Sequence, residues 1–523
     1  MSDYGPSAGA PEPQVTPRRF VAFAALILGM FMAILDIQIV ASSLGEIQAG
    51  LSAAPQEIAW VQTSYLVAEV VMIPLSGFLA RALSTRVLFT ISAAGFTLAS
   101  VLCATATSIN EMIVYRALQG FIGGGMIPTA MAAAYTIFPR RAIAPVMAVI
   151  GLTVTLAPTI GPTVGGYLTN VFSWHWLFLI NVVPGTIASV IAWTLIDFDE
   201  PDYGLLRRLD VYGLAALALF LGSLEYVLEQ GPIDDWFESG TISTLAFLSV
   251  AGAAVFFWRA FRAATPIVDL YAYNDRNFAV GSLLTFVLGA GLYGLTYLYP
   301  LFLARVRGFN ALEIGVTMFV TGAAMFVTAP IVGMVARKMD PRILIGAGFA
   351  GFVLSTVELL PITSQWGFQE LLIPQILRGA SLMLCMVPIN VVALGTLAPE
   401  HLKNAAGLFN TVRNLGGAFG LAAINTILNQ RTDVHFLRLR EHVIWGRQAA
   451  EEALQGLTQK FAPSLGSDAE LAAIKKLSGL VFREALTLAF ADVFLIIAVI
   501  FSFSAILALL VRRPRLEAAA SAH

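Results

Sequence analysis

The chain has 523 residues, of which 58% are hydrophobic and 12% are charged, and its mean hydropathy is +0.78. These values exclude an ordinary soluble globular protein and indicate a polytopic membrane protein. The formal net charge of −2 gives no strongly basic surface, so nucleic acid is not an expected partner. The two cysteines, Cys103 and Cys385, are too few for a metal cluster or a disulfide framework, and no metal site is predicted.

Apolar segments long enough to cross the ~30 Å hydrocarbon core of a bilayer as helices recur along the whole chain. A tail at 1–19, rich in Pro, Gly and Ala, is predicted to be disordered and cytoplasmic, and a second short tail covers 512–523. The predicted result is an all-α protein with fourteen spans. They lie near 20–44, 59–80, 86–106, 112–138, 143–168, 176–197, 211–229, 241–261, 278–304, 312–336, 342–362, 369–397, 403–429 and 485–511.

The distribution of basic residues predicts the orientation of the chain. An even number of spans places both termini on one side of the membrane, and most arginines and lysines of the tails and short loops fall on that side. The short loops of the opposite side hold only Arg305 and Arg307. Because cytoplasmic loops are enriched in positive charge, both termini are predicted to be cytoplasmic. The long segment 430–484 is then external, with helices interrupted at APSLGS.

An internal repeat predicts two parallel halves. The end of span 2 matches the end of span 10 at an offset of 256, and the end of span 4 matches the end of span 12 at an offset of 260. The matched residues are Pro74, Gly77, Ala80, Arg81 and Arg86 with Pro330, Gly333, Ala336, Arg337 and Arg342, and Pro128 and Pro139 with Pro388 and Pro399. We therefore expect six-helix halves at 20–197 and 278–511, separated by two inserted helices and linkers at 198–277. Parallel repeats of this kind are typical of transporters that bind substrate between the halves.

Span 5 contains an uncharged stretch with many glycines and prolines, GLTVTLAPTIGPTVGGYL. The special residues are Gly151, Pro158, Gly161, Pro162, Gly165 and Gly166. Glycines at small-xxx-small spacing let helices approach closely, and prolines are tolerated in membrane helices where neighbours satisfy the freed carbonyls. We expect a kinked, closely packed helix between the halves that controls how they rock and seal. The alternative is a tight packing face with no control over the direction of transport.

The motifs along the chain resemble those of the EmrB/QacA family, the fourteen-helix drug:proton antiporters of the major facilitator superfamily. The resemblance rests on FMAILDIQIV, GFLARALSTR, YRALQG, APTIGPTVGG, SWHWLFLINVVPG and RNLGGAFG, and APTIGPTVGG is similar to the antiporter motif of exporters. The long segment before span 14 and LGSLEYVLEQG in span 7 look more like the EmrB branch. In the conformational motif after span 2, which contains Gly77, Arg81 and Arg86, Arg81 stands where many relatives carry an acidic residue.

The resemblance implies a major facilitator fold and export of small hydrophobic drugs in exchange for protons. The protein would be a multi-pass component of the inner-membrane bilayer, driven by the proton gradient with no cofactor. An EmrB-like pump also implies two partner proteins, a periplasmic membrane-fusion protein and an outer-membrane channel.

Two buried carboxylates are the leading candidates for proton coupling. Asp36 lies deep in span 1 and Glu69 in the middle of span 2. A carboxylate in a low dielectric has a raised pKa, so protons can exchange near neutral pH. Arg116 in span 4 would bias the pKa of a nearby acid, and the resemblance implies that it is the proton-transfer arginine. The alternative is that each carboxyl is permanently neutral or held by a structural partner.

Four other acidic residues in the apolar segments are expected to be structural. Glu225 belongs to an inserted helix that we expect to lie outside the core. The other three, Glu229, Glu358 and Asp492, lie near span ends, where water is available.

Candidate substrate contacts occur in both halves. Tyr293 and Tyr297 share one helical face and suit stacking against an aromatic drug. Polar contacts are expected from Gln38 and Gln62 in the first half, and from Asn410 and Arg413 in the second. An aromatic stripe is also typical of packing, and pairing within the bundle explains Arg378 and Arg413 equally well.

No enzyme motif competes with transport. The chain lacks GxxxxGK[ST], HExxH and GxSxG, so an enzyme or an ATP-driven pump is not predicted. Two other readings stay open. The chain would either be a dedicated exporter of one metabolite, siderophore or lipid, or a membrane docking module that does not transport.

Overall fold

A computed structural model describes residues 16–54, 57–263, 266–336, 338–443 and 447–512, and these ranges contain helices and no strands. Most of both predicted tails lies outside the described residues. The helices are α1 (Pro17–Ser42), α2 (Leu44–Leu51), α3 (Trp60–Leu83), α4 (Thr85–Ala104), α5 (Ile109–Gly123), α6 (Met126–Ile137), α7 (Arg140–Val171), α8 (Trp176–Leu179), α9 (Val182–Leu195), α10 (Val211–Gln230), α11 (Gly240–Arg262), α12 (Arg276–Phe302), α13 (Ala311–Val335), α14 (Pro341–Val357), α15 (Leu372–Gly395), α16 (Pro399–Arg440), α17 (Gln448–Leu465) and α18 (Ala469–Leu507).

Eleven helical segments in the described ranges are long and apolar enough to cross a membrane. Three further predicted spans lie on helices that do not meet these criteria of length and hydropathy. The span at 112–138 is divided between α5 and α6 by the Gly124–Gly125 break, and the span at 342–362 lies on α14, which ends at Val357. The span at 403–429 lies within α16, a long helix whose polar residues lower its hydropathy.

The segment 430–484 is largely helical. α16 continues to Arg440 and α18 begins at Ala469, so both neighbouring helices extend beyond the predicted spans, with α17 between them. The predicted interruption at APSLGS is confined to its end, because α17 runs through Pro463 to Leu465. Gly466 then turns the chain with a φ of 53°, a conformation that glycine adopts without strain.

α7 is one continuous helix despite three internal prolines, and it packs against α1, α13 and α15. Gly161 and Gly165 lie where α1 crosses α7. A Cβ at Gly161 would lie 2.5 Å from the Cβ of Gln38, and one at Gly165 would lie 3.0 Å from the carbonyl oxygen of Ile39. Gly151 faces the side chain of Met383 on α15. The small residues of span 5 therefore form the predicted close-packing face.

The helices α3 and α16 meet backbone to backbone. A Cβ at Gly77 would lie 2.8 Å from the Cα of Asn404, and one at Gly407 would lie 3.1 Å from the carbonyl oxygen of Ile73. The inserted helix α10 packs onto both α3 and α16 as well as onto α11. The expectation that the helix of Glu225 lies outside the core was wrong, because one face of α10 covers the contact between α3 and α16.

Gly77→Val will test the α3–α16 contact. The added side chain meets backbone atoms of Lys403 and Asn404, which cannot rotate away, so the helices must separate. We expect a loss of about 1–3 kcal/mol in unfolding free energy, visible as a lower melting temperature of the purified protein in detergent. Gly45→Val is the matched control, since no heavy atom lies within 4 Å of a Cβ there. Equal melting temperatures for the two variants would contradict the close contact.

Candidate functional site

Asp36 of α1 is the centre of a buried polar network. Its Oδ2 accepts a 2.6 Å hydrogen bond from Nη1 of Arg116, and its Oδ1 accepts from Nδ2 of Asn181 at 2.7 Å and from Nε2 of Gln119 at 3.2 Å. The Asp36 and Arg116 side chains have no solvent-exposed surface. Breaking a buried ion pair on one side is strongly destabilising, so this carboxylate and this guanidinium depend on each other.

Arg116 makes further contacts that stabilise its charge. Its Nε donates to the carbonyl oxygen of Val61 at 3.1 Å, and its guanidinium lies 4.2 Å from the ring centroid of Tyr65. Nη1 also donates to Oε1 of Gln119 at 2.6 Å, and Gln119 in turn donates to Ser100 at 2.8 Å. Helices α1, α3, α4 and α5 and the residue before α9 therefore converge on one ion pair.

Glu69 lies one helical turn after Tyr65 on α3 and is 4% exposed. It interacts electrostatically with Arg116 and Asp36, but within the described residues its carboxylate accepts no hydrogen bond. The Gly124–Gly125 break between α5 and α6 gives Glu69 its space, because a Cβ at Gly124 would lie 3.2 Å from the Cγ of Glu69. Asp36 is thus held by directed donors, whereas Glu69 is held only by burial and charge.

The predicted tyrosines of α12 both point to asparagines of α16. The hydroxyl of Tyr293 donates to Oδ1 of Asn414 at 3.3 Å, and that of Tyr297 donates to Oδ1 of Asn425 at 2.8 Å. Both side chains are only partly buried. Tyr293 also interacts electrostatically with Arg413 and with Glu69, which brings candidates from both parts of the chain into one region.

The remaining predicted contacts are spread over several helices. Arg413 donates to Asn410, whose Nδ2 lies 2.9 Å from the sulfur of Met131 on α6. Gln38 packs against Gly161 of α7, and Gln62 follows the residue whose carbonyl binds Arg116. Neither glutamine joins the Asp36 network.

Asp199, in the linker after α9, holds the predicted cytoplasmic ends of three helices together. Its Oδ2 accepts from the backbone N–H and the hydroxyl of Thr85, both at 2.7 Å, and from Nζ of Lys403 at 2.5 Å. Nζ of Lys403 also donates to the carbonyl oxygen of Ala80 at 3.0 Å. This contact, which we call the Asp199 latch, joins the α3–α4 turn to the start of α16.

The two arginines of the loop after span 2 make separate contacts. Arg81 is partly buried and interacts electrostatically with Asp269, and Arg86 is exposed with its guanidinium 5.2 Å from the ring centroid of Trp193. The acidic group that bonds the start of α4 comes from Asp199.

Sequence reasoning missed several residues of these two clusters, among them Gln119, Asn181, Ser100 and Asp199. Gln119 and Asn181 lie within motifs that carried the family resemblance, YRALQG and SWHWLFLINVVPG, which was a usable signal. Ser100 gave no signal, because hydroxyls are common in membrane helices. Asp199 was one charge of the DFDE run after span 6 and looked like an ordinary loop residue.

Comparison with known proteins decides the family. The sequence profile of the Major Facilitator Superfamily matches residues 26–421. The chain belongs to the major facilitator superfamily. It is 41% identical to the colistin resistance protein EmrB of Acinetobacter baumannii, over 94% of this chain and 96% of that protein. It is 31% identical to the multidrug export protein EmrB of Escherichia coli, over 80% and 82% of the two chains.

A third relative and two solved structures complete the comparison. The fatty acid resistance protein FarB of Neisseria gonorrhoeae is 31% identical over 88% of this chain and 89% of its own. The proton:xylose symporter XylE superposes with a TM-score of 0.57 at 11% identity, covering 93% of this chain and 95% of its own. The human organic anion transporter MFSD10 superposes with a TM-score of 0.56 at 16% identity, covering 93% and 100%. These two structures support the fold alone.

These matches confirm the predicted EmrB-branch resemblance. The family is one of transporters and not of enzymes, and the protein is a multi-pass protein of the inner membrane. Transport is therefore the function within which the buried polar groups must be explained.

A double-mutant cycle with Asp199→Asn and Lys403→Met will measure the Asp199 latch. Because the paired side chains are only 11% and 18% exposed, we expect a coupling energy between about 1 and 3 kcal/mol in detergent unfolding. The control cycle uses Arg18 and Asp197, a pair with 52% and 45% exposure, for which no more than about 0.5 kcal/mol is expected. Similar coupling in both cycles would show that the latch stabilises nothing beyond an ordinary surface pair.

Proposed function

We propose that this protein is a proton-coupled exporter of hydrophobic drugs that works by alternating access. The observation that carries the proposal is the Asp36–Arg116 ion pair, which is fully buried in an apolar helical bundle. Ionisable groups inside the membrane are costly to maintain and mark ion or proton pathways. The proton gradient supplies the driving force in this proposal, and no cofactor is required.

The proposed architecture has fourteen transmembrane helices with both termini in the cytoplasm. Two six-helix halves, 20–197 and 278–511, flank the inserted helices at 198–277. The repeated motifs at offsets of 256 and 260 support the halves. The contacts of α7 with α13 and of α3 with α16 support an interface between them, because each joins a helix of one half to a helix of the other. Gly77, Arg81, Arg86 and the glycines and prolines of span 5 would adjust this interface.

Proton coupling would proceed through exchange of the partners of Arg116. When Asp36 takes a proton, its neutral carboxyl no longer balances the guanidinium. Glu69 is then the nearest carboxylate that no directed donor holds, and it already interacts electrostatically with Arg116. A shift of Arg116 from Asp36 towards Glu69 would change how α1, α3 and α5 pack. Binding of a proton would thus change the conformation of the first half.

Substrates would bind between the halves, against Gln38, Gln62, Tyr293, Tyr297, Asn410 and Arg413. Relatives named for resistance to colistin, resistance to fatty acids and multidrug export suggest amphipathic or hydrophobic substrates. The pump would work with a periplasmic membrane-fusion protein and an outer-membrane channel. The helical extension formed by the end of α16, α17 and the start of α18 lies on the external side in the proposed orientation.

Proton flux in proteoliposomes will test the proposal. With purified protein and an imposed pH gradient, addition of a hydrophobic drug should trigger proton movement in the wild type. Asp36→Asn keeps a side chain of the same size but removes the exchangeable charge, so flux should fall to the level of empty liposomes. Glu358→Gln changes an exposed carboxyl at the end of α14 and should retain flux.

Two outcomes would contradict the proposal. If Asp36→Asn retained drug-triggered flux, the Asp36–Arg116 pair would be a structural contact. If the wild type gave no flux across a broad drug panel, a dedicated exporter or a docking module would be favoured.

A further inference from the structure

A threonine of the second half contacts a buried arginine, as Asp36 does in the first half. Asp36 lies on α1, the first span of its half, and Thr296 lies on α12, the first span of the other half. Nη2 of Arg378, on α15, donates to Oγ1 of Thr296 at 2.6 Å, as Nη1 of Arg116 donates to Asp36 at 2.6 Å. By the offset of 260 between spans 4 and 12, Arg378 lies two positions after the residue that would correspond to Arg116. The span of Arg116 is broken between α5 and α6, whereas α15 is continuous.

Arg378 lacks the carboxylate that Arg116 has. It is 2% exposed, and within the described residues no carboxylate lies at ion-pair distance from it and its Nη1 has no hydrogen-bond partner. Its guanidinium lies 5.1 Å from the ring centroid of Tyr299. Glu358 interacts electrostatically with Tyr299 and is exposed.

A second buried donor lies beside Arg378. Gln375 is one helical turn earlier on α15 and has no exposed surface. Its Oε1 accepts a 3.0 Å hydrogen bond from Thr321, while its Nε2 has no partner among the described residues. Residues three apart share a helix face, so two unsatisfied donors, one of them charged, lie side by side.

An arginine in this position retains its charge, because its guanidinium is not deprotonated in proteins. A buried cation without a counter-charge is strongly unfavourable, and buried polar donors normally have acceptors. An anion that accepts from Nη1 of Arg378 and Nε2 of Gln375 would satisfy both requirements. A carboxylate matches the planar guanidinium especially well.

The site is connected to the proposed substrate region. Thr296 is only partly buried and lies one turn after Tyr293 on α12, directly before Tyr297. A ligand whose charged group reached Arg378 past Thr296 would lay its apolar part along the two tyrosines.

We propose that Arg378, Gln375 and Thr296 form an anion site that binds the carboxylate of amphipathic monoanionic substrates. This inference rests on the proposed export function, for which it names a substrate class. It assigns the two halves different tasks. The first half holds a balanced ion pair for protons, and the second holds an unbalanced cation for the substrate's charge.

Thr296→Asp will test the site by recreating the ion pair of the first half. Binding of radiolabelled decanoate to the purified full-length protein in detergent should weaken about tenfold or more, since about 1.4 kcal/mol corresponds to tenfold. Thr241→Asp places the same charge at an exposed position in the first turn of α11, outside the site, and should bind decanoate within about twofold of the wild type. The melting temperature of Thr296→Asp should equal or exceed that of the wild type, because Arg378 gains a partner.

Two further measurements are needed. The first distinguishes a substrate carboxylate from a small inorganic anion, and the second distinguishes failure of the anion site from failure of the proposed export function. Sodium chloride is titrated against decanoate at constant ionic strength with sodium isethionate, which carries no carboxylate, and the proposal expects chloride to compete weakly. Complete displacement by chloride would assign the site to a small inorganic anion and overturn the substrate class. Export of ethidium, a cation, by the wild type reports on the proposed export function independently of the anion site.

The outcomes are distinguishable. Unchanged decanoate binding in Thr296→Asp, or an equal loss in both variants, would overturn the anion site. Absence of ethidium export and proton flux from the wild type would count against the proposed function, while decanoate binding, an equilibrium measurement, would still report on the site.

Discussion

The constraint on which this structure depends is that an ionised group inside a membrane protein must be balanced by charge and by directed hydrogen bonds. Asp36 and Arg116 satisfy this constraint through their mutual ion pair, through hydrogen bonds from Asn181 and Gln119, and through the hydrogen bond to the carbonyl of Val61. These groups come from three helices, α1, α3 and α5, and from the residue before α9. In the proposed mechanism, the relative positions of these helices would depend on the protonation state of this one carboxyl.

The other buried charges differ from this pair in informative ways. Glu69 has burial and long-range attraction but no directed donor, and Arg378 has a hydroxyl partner but no counter-ion. An unbalanced group of either sign is stabilised by whatever brings the opposite charge. In the proposed mechanism, Arg116 does this for Glu69 and a substrate anion does it for Arg378. The proton then acts at Arg116 and its two carboxylates, and the substrate anion acts at Arg378, within one helical bundle.

The sequence alone predicted the helices well, because apolar length is sufficient to identify a membrane helix. Asp36, Glu69 and Arg116 were also recognisable, since a charge within an apolar run is rare. Their partners were not, because an amide such as Asn181 is unremarkable until folding brings it to a carboxylate. The prediction of the position of α10 was wrong for a related reason. Insertion between two repeats suggests a peripheral helix, and nothing local indicates that one face covers α3 and α16.

The contacts between the proposed halves are of two kinds, and their difference bears on how the halves move. At Gly77 and Gly407 the helices touch through backbone and glycine. Directed polar contacts are concentrated at a few points, among them the Asp199 latch and the hydrogen bond from the hydroxyl of Tyr135 to the carbonyl of Asn390. In the proposed alternating-access cycle, water would reach the latch when the halves part, and its charges would regain hydration as their ion pair breaks. The glycine contacts would then permit close approach of the helices, and the polar contacts would set the free energy needed to separate them.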